Sequence, residues 1–215
     1  MSRVQLHSSV RSAMVSDSLD LVGIRNNAMS PAIRPLTADM KVRGYAAPIE
    51  FVPSTEFNQA DPYGPAIEYL DSLQADEVAI VATNHSMESA FWGELFSTAA
   101  MKSGVTGVIS DGPLRDVSQI LKIGFSAFGV GSLPYDYKGR MKVASVRNSV
   151  ICGGVPVAPG DFIIADLDGV VVVPQAVIVE VFLAANKRAL GENQVLIDLK
   201  DGSTVREAWN KHHIL

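Results

Sequence analysis

Apolar residues recur at helical spacing near the beginning of the chain. The segment from Val10 to Val22 places them about every third or fourth position, and Gly23 follows it as a helix stop. Further along, Met40 to Val52 is rich in residues that favour strands, with Pro48 and Pro53 marking an edge or an end. The pattern therefore predicts a first helix followed by a strand.

The central part of the chain alternates between helical and strand patterns. An amphipathic helix is predicted at Gly64–Leu73, and the uninterrupted apolar run Glu77–Ala82 is typical of a strand in a sheet covered on both faces. A second helix is predicted from about Phe91 to Lys102, and the next strand at Gly107–Ser110. This order predicts a βαβ unit. Functional loops in such units lie at the carboxyl ends of strands, where the loop 111–116 is expected.

The remaining part of the chain is predicted to be richer in strands. A short helix at Val117–Lys122 and a strand at Ser126–Gly129 precede several short strands, punctuated by Gly and Pro, between Met141 and Pro174. A long helix from Gln175 to about Leu190 and a helical tail from Ser203 follow. We therefore expect an α+β or a layered α/β domain with both parallel and antiparallel strand pairing.

Length and composition favour one ordered domain that spans residues 1–215. The chain is 47% hydrophobic and only 19% charged, which is enough apolar material for a single core. Its net charge is -5, and its Lys and Arg residues are scattered. A nucleic-acid surface needs clustered positive charge, so we expect no nucleic-acid partner.

The sequence also predicts a cytoplasmic protein without a membrane partner. No segment approaches the roughly 20 apolar residues of a membrane span. Charged residues interrupt Met1 to Leu21, where a secretory signal would be apolar. The single cysteine, Cys152, cannot form an internal disulfide, and we interpret it as a small buried residue in preference to a reactive thiol.

Candidate chemistry is concentrated between Gly93 and Asp116. Glu94 and Arg115 bracket 20 residues, 95–114, about the length of a helix, a turn and a strand. Free backbone N–H groups at the beginning of a helix near residue 93 favour an anion. Arg115 offers two donors to a carboxylate, and Asp116 offers hard oxygen, with the two adjacent side chains expected to point apart. A packing glycine and a surface ion pair are the simpler interpretations.

The combined pattern resembles a known family of metal-dependent aldolases. Gly93-Glu94 followed by Arg115-Asp116 resembles the G-[DE]-x20-R-D signature of 4-hydroxy-4-methyl-2-oxoglutarate aldolases, whose relatives include the regulators of ribonuclease E activity. Pro159-Gly160-Asp161 and the segment Asp166 to Val170 resemble two further stretches of that family. The resemblance covers roughly residues 10–190.

The resemblance implies a fold, an assembly and a site. The fold is a layered, swivelling β/β/α domain with a mixed sheet, and the assembly is a homotrimer or hexamer with active sites between subunits. The substrate is a small 2-keto acid, and Asp116 binds a divalent metal cation. The residues implied to bind the pyruvyl group of the substrate are Gly93, Glu94, Leu95, Phe96 and Arg115.

Two neighbouring positions depart from the family pattern. Gln119 stands where many active members carry an acidic residue, and Ser118 stands where an Asp is common. The departure puts metal affinity and substrate range in doubt.

The residue types suit cleavage or decarboxylation of a 2-keto acid, because both reactions build negative charge on a pyruvate enolate. The constellation holds no Lys for a Schiff base, so a divalent cation acting as a Lewis acid is the other route. Oxygen donors without a His pair favour Mg²⁺ or Mn²⁺. Glu94 is the candidate for orienting a water or transferring a proton, and Arg115 for neutralising the substrate carboxylate and the enolate.

Several other polar residues stay open between a site role and a structural one. Asp111 is either a turn residue beside Gly112 or part of the site, and His85 is either a polar loop residue or a substrate contact. Glu192 is either a solvated helix end or a contact to a neighbouring subunit's site. We interpret three further carboxylates as turn residues and not as a second metal site: Asp161, Asp166 and Asp168.

Three functions remain open from the sequence. The first is a metal-dependent pyruvate aldolase that also decarboxylates oxaloacetate. The second is a non-catalytic protein-binding regulator of an RNA-degrading enzyme on the same fold. The third is a lyase for a different 2-keto acid, whose selectivity is set by pocket residues such as Phe91, Trp92 and Phe96.

Overall fold

A computed structural model describes residues 5–214 of the chain. The first four residues of the segment in which no secretory signal is expected lie outside the described residues, as does Leu215. The described chain forms two compact units. One unit consists of residues 26–175, and the other of the residues up to 25 together with those from 176 onward. The expectation of one domain over residues 1–215 stays a prediction.

The larger unit is built on a mixed sheet of eight strands. The strands are β1 (Arg34–Pro35), β2 (Val42–Pro53), β3 (Glu77–Ala82), β4 (Gly107–Ser110), β5 (Ala127–Gly129), β6 (Met141–Val146), β9 (Phe162–Asp166) and β10 (Gly169–Val173). Seven of them lie in the order β1-β5-β4-β3-β2-β9-β10, and β6 pairs with β2 beside β9. The pairs among β2, β3, β4 and β5 are parallel, whereas β1, β6, β9 and β10 pair antiparallel with their neighbours.

Helices connect the parallel strands. They are α2 (Gly64–Asp71), α3 (Glu94–Lys102) and α4 (Val117–Ile123), so each parallel strand is followed by one helix before the next strand begins. The central parallel strands are buried along nearly their whole length, because apolar clusters cover both faces of the sheet. A two-stranded antiparallel sheet is formed by β7 (Val150–Cys152) and β8 (Val155–Val157).

The smaller unit is helical. Helix α1 (Ser12–Leu21) contacts the long helix α5 (Ile178–Lys200), which a 3-10 turn at Gln175–Val177 precedes, and α6 (Val205–His212) contacts α5. Thr204 begins α6 with a capping box, in which its side chain and that of Glu207 satisfy each other's backbone N–H groups.

The fold class predicted from the sequence is confirmed: the protein is α/β with a mixed sheet. The strands at Glu77–Ala82 and Gly107–Ser110 have the predicted bounds. Two helix predictions need correction. Helix α3 begins at Glu94 and not near residue 91, because the preceding residues pair with a neighbouring loop: Phe91 N–H donates to the Pro113 carbonyl.

The second correction concerns the end of α5. The helix continues ten residues beyond Leu190, through Gly191, to Lys200. A glycine inside a helix costs about 1 kcal/mol relative to alanine. Here it allows close packing, since a Cβ at Gly191 would lie 2.2 Å from Cδ1 of Ile214. None of the helices in residues 5–214 combines the length and the apolar character of a membrane span.

Candidate active site

Three loops meet at the carboxyl ends of neighbouring parallel strands. The loops follow β3, β4 and β5, and backbone hydrogen bonds tie them together: Arg115 N–H donates to the Trp92 carbonyl (2.9 Å), and Ala90 N–H donates to the Tyr135 carbonyl (2.8 Å). Leu114 N–H also donates to the carbonyl of Gly131, in the loop after β5. The βαβ arrangement therefore brings segments distant in sequence to one edge of the sheet.

These loops enclose a cavity of about 380 Å³ together with helices α2 and α3. Five of the six predicted site residues line it: Gly93, Leu95, Phe96, Arg115 and Asp116. The sixth, Glu94, is half-buried at the first turn of α3 and is not among the described lining residues. Most of the other lining residues are apolar or aromatic, and they include Phe91 and Trp92 from the loop after β3 and Ile67 from α2.

Arg115 and Asp116 lie side by side at this cavity. Asp116 Oδ2 lies 3.7 Å from Arg115 Nε and accepts a hydrogen bond of 3.3 Å from the N–H of Glu94, in the first turn of α3. We expected the two adjacent side chains to point apart, and that expectation was wrong. Asp116 adopts a left-handed backbone conformation (φ 54°), which changes the direction of its side chain. Such strain is typical of functional sites.

Gly93 is required by this close approach. A Cβ at residue 93 would lie 2.6 Å from Asp116 Oδ2 and 2.9 Å from Arg115 Cγ. The beginning of α3, the guanidinium and the carboxylate therefore meet only because residue 93 has no side chain. This confirms the prediction that the two loops converge, while the roles of the residues stay predictions.

The structure adds an acidic residue that the sequence analysis missed. Asp136 lines the same cavity from the loop after β5, and its Oδ1 lies 3.7 Å from an Nη of Arg115. The hydroxyl of Tyr63, in the loop after β2, donates a short hydrogen bond to Asp136 Oδ2, and this bond raises the pKa of Tyr63. The sequence signal was limited to the position of Asp136 a few residues after the predicted strand Ser126–Gly129, which does not show which strands are its neighbours.

A second missed residue is Tyr137. Its side chain lines the cavity and packs against the rings of Phe51 and Tyr63, with centroid distances of 5.0 and 5.6 Å. Among the described residues its buried hydroxyl finds no hydrogen-bond partner, and burial raises its pKa. Ser89, which directly precedes the lining residue Ala90, has a second such hydroxyl. Unpaired buried polar groups are costly, and the two here lie on or next to one cavity wall.

The cavity offers oxygen ligands for a hard cation. Asp116 and Asp136 both line it, and the Asp116 side chain is 44% exposed, so water has access to that carboxylate. No group of three or more His, Cys, Asp or Glu side chains at metal-binding spacing occurs in residues 5–214. These oxygen donors fit a Mg²⁺-like ion that one or two carboxylates, water and substrate would hold, and Asp116, the more exposed of the two carboxylates, would be the candidate ligand.

The other polar candidates have structural contacts. Asp111 is buried, and its carboxylate accepts hydrogen bonds from the N–H and hydroxyl of Thr83 (2.6 and 2.8 Å) and from the N–H of Gly153 (3.2 Å). It therefore joins three segments of the larger unit. The turn interpretation is confirmed for Asp161, which accepts from Ala158 N–H, and for Asp166, which accepts from Asp168 N–H.

Four further residues are not among those described as lining the cavity. His85 is exposed and is not among the described lining residues, and Gln119 uses its backbone N–H to bond the Asp116 carbonyl. Glu192 forms ion pairs with Arg11 (3.0 Å) and Arg188 (2.8 Å) in the helical unit. Cys152 is buried, as predicted, and burial raises the pKa of its thiol.

Comparisons with known proteins point to one family. A model of the RraA-like family, described as Aldolase/RraA, matches residues 12–172. The chain is 30% identical over 197 residues to Protein DlpA of Legionella pneumophila, which covers 92% of this chain but only 31% of that protein. The chain thus spans about a third of the length of that relative.

Two further similarities carry functional names. The chain is 24% identical over 180 residues to a protein of Halalkalibacterium halodurans named "Putative 4-hydroxy-4-methyl-2-oxoglutarate aldolase", over 84% of this chain and 80% of that one. The crystal structure of Streptomyces coelicolor RraAS2, described as an unusual member of the RNase ES inhibitor RraA family, superposes with a TM-score of 0.78 at 25% identity. That match covers 87% of this chain and 93% of RraAS2.

Proposed function

The chain belongs to the RraA-like family, and from that premise we propose that it is a lyase that releases pyruvate from a 4-hydroxy-2-oxo acid. The proposed substrates are 4-hydroxy-4-methyl-2-oxoglutarate or a related acid, with decarboxylation of oxaloacetate as a second activity. One observation carries the proposal: Arg115, Asp116 and the beginning of α3 meet at a single cavity. The names of relatives such as the Halalkalibacterium halodurans protein support it.

Arg115 has the chemistry to hold the substrate's carboxylate. Its guanidinium lines the cavity with a side chain that is only 35% exposed, and it can donate two parallel hydrogen bonds to the C1 carboxylate. The backbone N–H groups of the first turn of α3 add partial positive charge at the same wall. Together they would fix the 2-oxo group beside Asp116.

In the cleavage step, the C4 hydroxyl loses its proton and becomes a carbonyl while the C3–C4 bond breaks. The electron pair of that bond passes to the pyruvate unit as an enolate, and a proton then adds at C3. When bound at Asp116, Mg²⁺ or Mn²⁺ would supply Lewis-acid stabilisation of the enolate charge. Arg115 neutralises the adjacent carboxylate, and Glu94 is the proposed group for orienting a water or transferring the proton.

Pyruvate release tests the proposal directly. Purified protein is incubated with Mg²⁺ or Mn²⁺ and either 4-hydroxy-4-methyl-2-oxoglutarate, other 4-hydroxy-2-oxo acids or oxaloacetate, and pyruvate is measured with lactate dehydrogenase and NADH. We expect metal-stimulated release that is lost in Arg115→Ala and Asp116→Ala. Asp168→Asn, which changes an exposed turn carboxylate, is the matched control. No release from any of these acids would overturn the proposal.

A second candidate function follows from the similarity to RraAS2, whose description names it in an RNase ES inhibitor family. In this role the chain would bind an RNA-degrading enzyme without catalysing a reaction. Gln119, which stands where many active members carry an acidic residue, favours this role. The test adds purified protein to an RNase E-type enzyme and measures RNA cleavage. Inhibition by both wild type and Asp116→Ala, without pyruvate release, would support this function over the lyase.

Assembly is part of the proposal. We propose a homotrimer or hexamer, as the family resemblance implies. Analytical ultracentrifugation of the purified chain, whose mass is 23.0 kDa, distinguishes these states from a monomer.

A further inference from the structure

We infer that Asp136 is a positioning residue, which orients the guanidinium of Arg115 toward the substrate, and that Tyr63 holds Asp136 in place. The inference rests on the proposed function, since it takes Arg115 as the group that binds the substrate's carboxylate. All of the contacts that carry it are made within one chain. It leaves the proposed substrates as they are and adds two residues to the site.

Arg115 is attracted by a carboxylate at each of two nitrogens. Its Nε lies 3.7 Å from Asp116 Oδ2, and its Nη1 lies 3.7 Å from Asp136 Oδ1. Both distances exceed the range of about 2.7–3.2 Å in which an N–H group bonds an oxygen. The two carboxylates therefore direct the guanidinium by charge and leave its N–H donors available. A planar guanidinium donates two parallel hydrogen bonds only when it is turned correctly, so its orientation matters for binding a carboxylate.

The carboxylate of Asp136 is itself held by its other oxygen. The hydroxyl of Tyr63 donates a short hydrogen bond to Oδ2, which leaves Oδ1 as the oxygen that faces Arg115. The N–H of Lys138 donates a long hydrogen bond to Oδ1 (3.5 Å), and Arg140 donates to the backbone carbonyl of Asp136 (2.9 Å). The backbone and the side chain of Asp136 are therefore both restrained.

Tyr63 links Asp136 to helix α2. It directly precedes the helix, and its carbonyl accepts the N–H of Ile67 (3.0 Å). Its ring packs edge to face against Tyr137, with centroids 5.6 Å apart, and the ammonium of Lys138 lies 5.7 Å from its centroid. A hydroxyl on a ring that is restrained in this way fixes the carboxylate to which it donates.

The contacts of Asp136 favour positioning over a direct role. A carboxylate repels the carboxylate of a substrate, and here Oδ2 accepts the Tyr63 hydroxyl while Oδ1 faces Arg115. Binding of the metal is the competing role, since Asp136 lines the cavity together with Asp116. The Asp136 side chain is 26% exposed against 44% for Asp116, so a hydrated cation has less access to it.

Binding of oxalate tests the inference without turnover. Oxalate resembles the pyruvate enolate, and calorimetry of the full chain with Mg²⁺ measures its affinity. We expect Asp136→Asn to weaken binding about three- to tenfold. In an Arg115→Lys background the same substitution should weaken it less than about twofold, because an ammonium has no planar fork to orient. Equal weakening in the two backgrounds, or none with arginine at position 115, would overturn the inference.

Tyr63→Phe isolates the hydrogen bond to Asp136, because the ring and its packing are retained. We expect oxalate affinity to fall about two- to threefold, and the double variant with Asp136→Asn to bind as Asp136→Asn alone does. Tyr135→Phe is the matched control, since Tyr135 precedes Asp136 directly, is 54% exposed and is not among the described lining residues. A fall of the same size in the control, or additive losses in the double variant, contradicts the assignment of Tyr63.

Binding of Mn²⁺ alone separates positioning from metal coordination. Electron paramagnetic resonance measures free Mn²⁺ in the presence of the full chain and in the absence of oxalate. We expect Asp116→Asn to weaken Mn²⁺ binding at least about tenfold, and Asp136→Asn to weaken it less than about threefold. A loss in Asp136→Asn as large as that in Asp116→Asn makes Asp136 a metal ligand and sinks the positioning role.

Pyruvate release separates this inference from the proposed function. If none of the proposed acids yields pyruvate while the oxalate results are as expected, the lyase is overturned and Asp136 still positions Arg115. If pyruvate is released but Asp136→Asn weakens oxalate binding equally in both backgrounds, the lyase stands and the inference fails. No binding of oxalate to the wild type removes the assignment of Arg115 to a carboxylate, and with it this inference.

Discussion

Asp111 and Asp116 belong to the same loop after β4, yet the fold uses them in opposite ways. Asp111 is 1% exposed, and three donors from two other segments fill its carboxylate. The Asp116 side chain is 44% exposed, lines a cavity, and lies beside the cation Arg115. Its one described hydrogen bond, from Glu94 N–H, is long at 3.3 Å.

The difference shows how a carboxylate can be assigned to structure or to chemistry. A buried carboxylate whose oxygens are all used holds segments together and has no capacity left for a ligand. A carboxylate at a cavity, held by a strained backbone and one long hydrogen bond, keeps capacity for a cation or substrate. Burial and hydrogen bonding therefore distinguish the roles of two residues that are both aspartates of the same loop.

The largest effect is expected from Asp116→Asn. Because the amide oxygen is a much poorer ligand for Mg²⁺, we expect kcat for pyruvate release to fall at least about 100-fold. The free energy of unfolding should change by less than about 0.5 kcal/mol, since the side chain is half exposed. Steady-state kinetics and urea denaturation measure the two quantities. Full activity in this variant would remove Asp116 from the reaction.

Asp111→Asn is expected to lower stability and to leave activity nearly unchanged, the converse of Asp116→Asn. The amide keeps one acceptor but turns an NH₂ group toward the N–H of Thr83 or Gly153, so a buried donor loses its partner. We expect the free energy of unfolding to fall by about 2 kcal/mol. Urea denaturation measures the loss, and kcat of the protein that remains folded should stay within about threefold of wild type. A stable variant without activity would place Asp111 in the catalytic site.

Asp136→Asn should act on binding more than on turnover. Removing the carboxylate loosens the orientation of Arg115, so KM for the 2-oxo acid substrate should rise about three- to tenfold, with kcat changed less. Tyr63→Phe removes the hydrogen bond to Asp136 and should shift KM the same way by a smaller factor. A fall in kcat at constant KM in both variants would point to a direct catalytic role.

The smallest effect is expected from Tyr137→Phe, which removes a buried hydroxyl that has no partner within the described chain. Its loss should leave the free energy of unfolding unchanged or raise it by up to about 1 kcal/mol, because an unpaired buried polar group is costly. We expect kcat/KM to change less than it does in Asp136→Asn. Thermal denaturation and kinetics together check this, and a clear loss of stability would show that the hydroxyl is paired.

Local patterns in the chain were enough to predict most of the larger unit. Apolar runs set the bounds of β3 and β4, and the order of strands and helices predicted their parallel pairing. Resemblance to a family singled out Gly93, Arg115 and Asp116, which the cavity brings together. These predictions hold because periodicity, turn residues and short motifs are properties of neighbours along the chain.

Contacts between distant segments were decided only by the tertiary structure. Tyr63, Asp136 and Tyr137 reach the cavity because the strands before them lie side by side with β3 and β4, and no local pattern encodes that neighbourhood. The separate roles of Asp111 and Asp116 likewise depend on Thr83 and Gly153, which approach one carboxylate and not the other. Burial and pairing arise from the packing of the whole unit, so identical residue types acquire different chemistry.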